Sequence, residues 1–383
     1  MLSLEKCVGD VRAFERDHWA KRPLLNKRAA EAPSPFADVA RLADLDHVIT
    51  SLNLRLPSFR MVRDGKPIPV GGFTKSERKR SGTVDAVIDP SAVFDRFNEG
   101  ATIVIEGLHK YWNPLTRFSR ELEMELGHRI QINAYITPPG SQGFAVHRDD
   151  HDVFVLQITG SKHWMVYDEN DETDVLIEDD LNEGDALYIP KGFPHAATTT
   201  DDTSAHLTVG ILTHDEIDIV REVMKMAEED PAFRERLSLR PTDGPEFDDS
   251  ALGIVEGFQR WVEKLDRDEL LWRVKRRLTT TQQELSSGQL ERLVRLSDVD
   301  DDTVVRRRAG ATSTVGATAG RLRVLLTDRE LEMPAEVEIP MSFIARTESF
   351  VVADLAPWLE PSSRLVLVRR LIREGLLEAV FDG

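Results

Sequence analysis

The stretch of residues 133–206 constrains the fold of this chain more than any other. It breaks into short strand-length runs, each closed by a glycine or proline turn signal. Residues 153–158 are an unbroken run of apolar, β-branched and aromatic side chains, apart from Gln157, of the kind that fills a buried strand. Gly160-Ser161 then offers a tight turn, and residues 162–167 read as the returning strand. Gly184-Asp185 makes a further turn before a run at residues 186–189, and Pro190, Gly192 and Pro194 set a fixed bend that delivers His195. Short strands linked this way fit a small antiparallel barrel.

The same stretch carries the chemistry. His147 and Asp149 lie one residue apart. Alternate residues of an extended strand point to one face, so this imidazole and carboxylate can enter one cavity together. His195, arriving on a later strand, would complete a set of two imidazoles and one carboxylate. That set takes one face of a metal ion, leaves open positions, and recurs in non-haem Fe(II) oxygenases. A His-x-Asp alone more often marks a surface loop of mixed charge; the strand context argues for the metal. If residues 162–167 form a strand, Lys162 shares a face with Trp164 and Val166. Buried there unpaired it would be costly, and an anionic ligand such as the far carboxylate of a keto-diacid would offset that cost. The plainer alternative is a lysine at a hairpin end with its ammonium in water.

Taken together, these residues resemble the JmjC-type Fe(II)/2-oxoglutarate oxygenases, and within them the ribosomal oxygenases of the cupin-like group. The resemblance rests on Asn133-x-Tyr135-x-Thr137-Pro138, Gly140-Ser141-Gln142-Gly143, His147-x-Asp149, Asp152-Val153-Phe154, Gln157, Gly160-x-Lys162-x-Trp164, and Gly184-Asp185 through His195. It implies an α+β fold: a double-stranded β-helix (the jelly-roll, cupin-like JmjC barrel), a helical dimerisation region, and a C-terminal winged-helix domain. The corresponding segments are 1–213, 214–305 and 306–383. It implies that His147, Asp149 and His195 bind Fe(II) as the catalytic centre. Lys162 would pair with the distal carboxylate of the co-substrate 2-oxoglutarate, and Asn133, Tyr135 and Thr208 would line the same pocket. With O2 as oxidant, the implied reaction is hydroxylation of an arginine or histidine side chain of a ribosomal protein, with succinate as co-product. Two alternatives stand beside it. One is a related oxygenase or demethylase acting on another protein. The other is a non-catalytic barrel and winged helix that only binds, and the intact donor set weighs against it.

Composition narrows the partners. The 383 residues hold 49 basic and 67 acidic side chains, a formal net charge of −18. Such a field disfavours nucleic acid as the main partner and suits a basic protein, although simple solubility or a salt-adapted proteome would give the same balance. Cys7 is the single cysteine, so no internal disulfide can form, which fits a reducing cytoplasm. The N-terminus lacks the pattern of a signal peptide, and no apolar run reaches membrane-spanning length.

Along the chain, residues 10–20 suggest a helix bearing Phe14 and Trp19 that stops before Pro23, an opening also similar to that of the ribosomal oxygenases. Helical spacing recurs at 39–50, 90–98 and 115–126, with strand-like pieces at 54–62, 71–87, 101–107 and 130–136. Residues 168–181 are acidic and read as an exposed loop. Residues 204–212 read as the last barrel strand, with His206 either a residue supporting the site from behind the metal donors or, the reading preferred, a satisfied barrel histidine. After His214 the period becomes 3.6, with apolar stripes at 217–227, 251–265, 271–278 and 290–294. These stripes must pack on the barrel, on each other, or on a second chain; the resemblance implies a homodimer.

Residues 240–250 read as an inter-helix loop, and 306–320, poor in large apolar residues, as a linker or mobile loop. Beyond it, strands are expected at 321–326 and 336–339, helices at 352–359 and 363–373, a stop at Gly375, and a strand at 376–381. This unit resembles a winged helix. Arg364, Arg369, Arg370 and Arg373 could make one helix basic, which taken alone would allow DNA binding. Acids match bases in the unit, so a docking role fits better.

Overall fold

The computed structural model describes residues 2–29, 31–80, 82–141, 145–237, 246–279, 287–318 and 320–381. It divides into two units, Met1–Thr213 and His214–Gly383, each with its own apolar core.

The first unit opens with α1 (Ser3–Val8), α2 (Val11–Asp17), β1 (Leu24–Asn26), α3 (Leu42–Ser51), β2 (Phe59–Arg63), β3 (Lys66–Pro67), β4 (Thr74–Lys79), β5 (Gly82–Ile88), α4 (Pro90–Asn98), β6 (Thr102–Ile105) and α5 (Asn113–Leu126). The barrel strands follow: β7 (Arg129–Thr137), β8 (Asp152–Thr159), β9 (Ser161–Tyr167), β10 (Val175–Asn182), β11 (Ala186–Ile189), β12 (His195–Thr199) and β13 (Ser204–Leu212). One large antiparallel sheet has the order β1-β11-β8-β13-β7-β6-β2-β3, and a smaller one the order β10-β9-β12. This is a cupin-like barrel.

Strand β8 explains why its sequence is apolar at nearly every position. Val153 and Val155 face the small cluster that also holds Trp164, Val166 and Leu187. Phe154, Leu156 and Ile158 belong instead to the main core, where Phe14 of α2 packs on Phe154 at 5.8 Å. A strand buried on both faces cannot alternate with polar residues. Strand β9 does alternate: Lys162, Trp164 and Val166 are buried, while their neighbours are half-exposed. Gly160 joins the two strands at φ +64°, and a Cβ there would lie 2.0 Å from the Thr203 carbonyl oxygen, so no other residue fits that turn.

The acidic segment 168–181 is not all loop. Residues from Val175 onward form β10, paired along β9. Its acids suit the exposed edge of the smaller sheet, while Leu181 turns inward and is fully buried. Helix α3 also starts later than its spacing suggests; Val39 is buried ahead of it and Leu42 is exposed.

The second unit contains α6 (Glu216–Glu229), α7 (Glu246–Glu263), α8 (Arg267–Thr279), α9 (Gln289–Val294), α10 (Glu338–Arg346) and α11 (Pro361–Arg373). Its strands are β14 (Val304–Arg307), β15 (Ser313–Thr318), β16 (Arg321–Leu326), β17 (Glu330–Pro334), β18 (Ser349–Val351) and β19 (Leu377–Val380). They form two three-stranded sheets, β18-β14-β19 and β15-β16-β17.

Several expectations change here. Residues 306–320 are not a linker: they include the end of β14 and all of β15, with residue 319 outside the described residues. The segment lacks large side chains because it receives one. Gly316 lies under the indole of Trp272, where a Cβ would come within 2.3 Å of the ring. Trp272 also donates to Glu330 at 3.0 Å and carries the Arg323 guanidinium over its face at 4.8 Å. Of the loop expected at 240–250, residues 240–245 lie outside the described residues and 246–250 open α7. The strand expected at 336–339 is instead a 3-10 turn running into α10, with Pro340 tolerated in the first helical turn; the strand lies earlier, at β17. The helix expected at 352–359 is only a 3-10 turn, Val352–Leu355.

Candidate metal centre

His147 does not sit in a regular strand. It lies in an extended loop that touches the start of β12 through one isolated antiparallel bridge. Both halves of that bridge are made: His147 N donates to His195 O at 3.1 Å, and His195 N donates to His147 O at 2.9 Å. Directly opposed residues of such a pair present their side chains on the same face. The imidazoles therefore face one space, with ring centroids 4.4 Å apart. Asp149 follows two residues later on the same side, and its carbonyl accepts Gly192 N at 3.0 Å. That bond ties the loop to the Pro190–Pro194 bend. The Asp149 Oδ2 and His195 Nε2 atoms are 3.7 Å apart.

One donor atom from each of the three residues lies within 4.8 Å of the others. The set offers what a divalent ion needs. His147 Nδ1 pairs with Ala145 O at 2.9 Å, and His195 Nδ1 with Phe193 O at 3.0 Å. A carbonyl can only accept, so each Nδ1 carries the proton and each Nε2 has the lone pair that a metal takes. Burial, with the neighbouring His147, pushes the His195 imidazole below its ordinary value, and its hydrogen bond to Phe193 and the Asp149 charge only partly oppose this. The ring is thereby held neutral for coordination. Among the described residues no fourth histidine, cysteine or carboxylate joins the cluster, so part of an ion's surroundings would stay open.

Behind the three donors lies a cavity of about 260 Å³. Val153 and Val155 of β8, Lys162 and Trp164 of β9, and Ala197 of β12 make its inner walls. Tyr135 of β7 and His206 and Thr208 of β13 face them, and Arg60 of β2 also lines it. Lys162 is 2% exposed, and burial, the only cause acting on it, pushes its ammonium down to about 8. It is inside the barrel, not at a hairpin end in water. Asn133 is the expected pocket residue that does not line the cavity; its side-chain oxygen accepts Gly107 N at 2.9 Å and braces the chain after β6.

Two lining residues are missed by the sequence reading. Arg60 comes from a strand with no motif around it, and it pairs with Glu106 at 2.7 Å. His206 is not a satisfied barrel histidine: its Nδ1 is buried and has no hydrogen-bond partner among the described residues. The stacking of its ring on Tyr135 depends on cross-strand register, which spacing along one strand does not reveal. Gln142 and Gly143 of the Gly140-Ser141-Gln142-Gly143 motif lie outside the described residues.

Known proteins agree with this geometry. Residues 109–219 match the family model of the JmjC domain. Ribosomal oxygenase 1 of Gallus gallus is 30% identical over 214 residues, covering 51% of this chain and 34% of that protein. Ribosomal oxygenase 1 of Danio rerio is 28% identical over 252 residues, covering 60% and 44%. The bifunctional lysine-specific demethylase and histidyl-hydroxylase NO66 of Dictyostelium discoideum is 30% identical over 211 residues, covering 48% and 40%. The chain thus spans less than half the length of these relatives. In fold, it is similar to the crystal structure of the Escherichia coli ribosomal oxygenase YcfD, with TM-score 0.60, 18% identity, and 98% and 99% of the two chains covered. A structure of YcfD in complex with cobalt and 2-oxoglutarate matches with TM-score 0.59 and 19% identity, over 97% and 98%.

Proposed function

We propose that this chain, which carries a JmjC domain similar to those of the ribosomal oxygenases, is an Fe(II)- and 2-oxoglutarate-dependent protein hydroxylase acting on an arginine or histidine side chain of a ribosomal protein. The observation that carries this reading is the open His147–Asp149–His195 set beside a buried lysine that, among the described residues, no acid pairs with.

His147, Asp149 and His195 would hold Fe(II). When bound, the ion with 2-oxoglutarate and O2 supplies oxidative decarboxylation to succinate and delivers one oxygen atom to a C–H bond. The chain's residues do the positioning. The Nδ1 bonds to Ala145 and Phe193 fix both rings. Lys162 holds the distal carboxylate of the co-substrate, while Val153, Val155 and Trp164 keep water from the inner cavity. His147 is exposed, so a side chain presented by another protein can reach the open metal positions from outside. The rim suits a basic partner: Asp150, next in the chain to Asp149, is fully exposed.

A second reading is demethylation of an N-methyl group by the same chemistry; the names of the NO66 relatives favour it. Incubation with Fe(II), 2-oxoglutarate and candidate peptides separates the two. Succinate coupled to a mass gain of one oxygen supports hydroxylation, formaldehyde release supports demethylation, and failure to bind iron refutes both.

Segment 214–305 is a dimerisation region in this reading. The support is apolar surface left on α6 and α7, including Val220, Met224, Leu252 and Val255, each about half-exposed or more. Segment 306–383 is a winged-helix-like docking domain. Its most basic helix, α11, spends three of its four arginines internally: Arg364 on Asp301, Arg369 on the Val299 carbonyl, Arg370 on Glu374. That leaves little charge for a phosphate backbone. A cytoplasmic location fits the single cysteine, and among the described residues no helix is long and apolar enough to cross a membrane.

A further inference from the structure

The three metal donors come from two segments, and a side chain outside the cavity joins those segments. His147 and Asp149 line the cavity, while Arg148 between them does not. Alternation along an extended chain turns the Arg148 side chain the other way. Its Nη1 donates to Glu169 O and to Gly192 O, each at 2.7 Å, and its Nη2 donates to Glu172 Oε1 at 3.0 Å. A guanidinium holds its donors in a fixed plane, so one side chain can grip three acceptors at once.

The acceptors belong to a platform that already carries His195. Gly192 sits in the Pro190–Pro194 bend, and its own N–H donates to Asp149 O, so residues 148 and 149 clasp it from both sides. Glu169 and Glu172 lie in the turn between β9 and β10, which Asp168 N closes on Asp174 O at 2.8 Å. Just before that turn, Tyr167 N donates to Pro194 O at 2.9 Å. Turn and bend are thus tied together, and Arg148 fastens the donor loop to both. At the far end of the loop Asp152 makes a similar tie, its Oδ1 accepting Lys191 N at 2.8 Å and its Oδ2 accepting the Tyr188 hydroxyl at 2.5 Å.

On charge alone, arginine is a poor residue for this position. A cation between two donors to a divalent ion opposes the binding of that ion. Glu172 offsets part of the charge, but the pair is open to solvent, with side chains 41% and 58% exposed, and such pairs contribute little. The three hydrogen bonds supply the reason for the residue.

We propose that Arg148 is a positioning residue for the metal centre: by bonding Gly192 O and Glu169 O it sets the His147–Asp149 loop against the His195 bend before an ion arrives. This rests on the metal-centre reading given above. A loop without the tie must be ordered by the ion, which weakens binding. Fixing the backbone of one residue corresponds to roughly 5- to 30-fold in a binding constant.

The test compares Arg148→Met and Arg148→Lys in the full chain. Methionine keeps most of the stem without donors or charge. Lysine keeps the charge and N–H donors but not the planar fork. Calorimetry should show Mn(II) bound roughly 5- to 30-fold more weakly by Arg148→Met than by wild type, with Arg148→Lys between them. The sign separates geometry from charge, since loss of a nearby cation by itself would tighten Mn(II) binding. With Mn(II) saturating, both variants should bind 2-oxoglutarate as wild type does, because Arg148 does not line the cavity. In the metal-free protein, Arg148→Met should speed hydrogen exchange at the amides of His147, Gly192 and His195, which bond across the two segments. Unchanged or tighter Mn(II) binding in Arg148→Met, a lysine variant as weak as the methionine one, or exchange that is unaltered or faster throughout the first unit would each overturn the proposal. If the wild-type protein binds no Mn(II), the metal-centre reading falls, and exchange in the metal-free protein still tests the tie.

Discussion

Replacing Lys162 with methionine should strengthen the fold while it weakens co-substrate binding, and the two effects can be measured apart. Burial pushes the Lys162 ammonium from its ordinary 10.5 down to about 8, with no acidic partner among the described residues to oppose the shift. At about 1.4 kcal/mol per pH unit, holding the charge inside the ligand-free barrel costs roughly 3 kcal/mol at neutral pH. The folded value lies below the unfolded one. The cost is therefore complete below about 8 and vanishes above 10.5, and wild-type stability rises with pH across that window. Methionine matches the length of the stem without the charge. Denaturant unfolding of the metal-free full chain, followed through the transition that Mn(II) shifts, should show Lys162→Met more stable by roughly 2–3 kcal/mol at about pH 7. The difference should shrink as pH climbs toward 10.5. Calorimetry should show 2-oxoglutarate binding weakened by roughly 100-fold or more, since a buried carboxylate loses the ammonium that would pair with it. A variant less stable than wild type near neutrality, or a stability gap independent of pH, would refute the reasoning about burial. Unchanged 2-oxoglutarate affinity would refute the pocket assignment.

Other expectations are simpler. Alanine at His147, Asp149 or His195 should cut Mn(II) affinity by more than the roughly 10- to 100-fold typical of losing an outer partner, and should abolish turnover; full activity in any of the three would refute the triad. Gly316→Val should destabilise the second unit by about 1–3 kcal/mol, because its side chain must displace the Trp272 ring, and differential scanning calorimetry should show it. Metal affinity in that variant should stay at the wild-type value, since Gly316 and Trp272 both lie outside the first unit.

The barrel was legible because its strands carry strong local signals. The run at 153–158 is apolar on both faces for a physical reason, one face filling the barrel and the other meeting the helices. The alternation of β9 correctly put Lys162 on the inner face. Failures came where local pattern and tertiary setting disagree. The acids of β10 look like a loop because the strand lies at a sheet edge, where side chains stay in water. The small residues of β15 look like a linker because Trp272 from α8, more than thirty residues earlier in the chain, supplies the missing bulk. Val337 and Ile339 suggest a strand, yet the chain turns into α10.

The site shows the same division. His147, Asp149 and His195 could be paired by spacing and type, but the mutual backbone bridge that aims two rings at one point is a long-range contact. The carbonyls that set both tautomers belong to Ala145 and Phe193, residues whose side chains carry no signal at all. His206 and Arg60 reach the cavity through sheet register, and Asn133 shares its strand with Tyr135 yet does not line the cavity.

One measurement reaches the central claim directly. The purified chain is supplied with Fe(II), 2-oxoglutarate, O2 and a mixture of ribosomal proteins, and succinate is quantified beside the intact masses of those proteins. The account predicts succinate in step with a gain of one oxygen atom on a single ribosomal protein, at an arginine or histidine, and neither product when His147 is replaced by alanine. Iron bound without succinate, or succinate accompanied by formaldehyde and a loss of methyl mass, would contradict it.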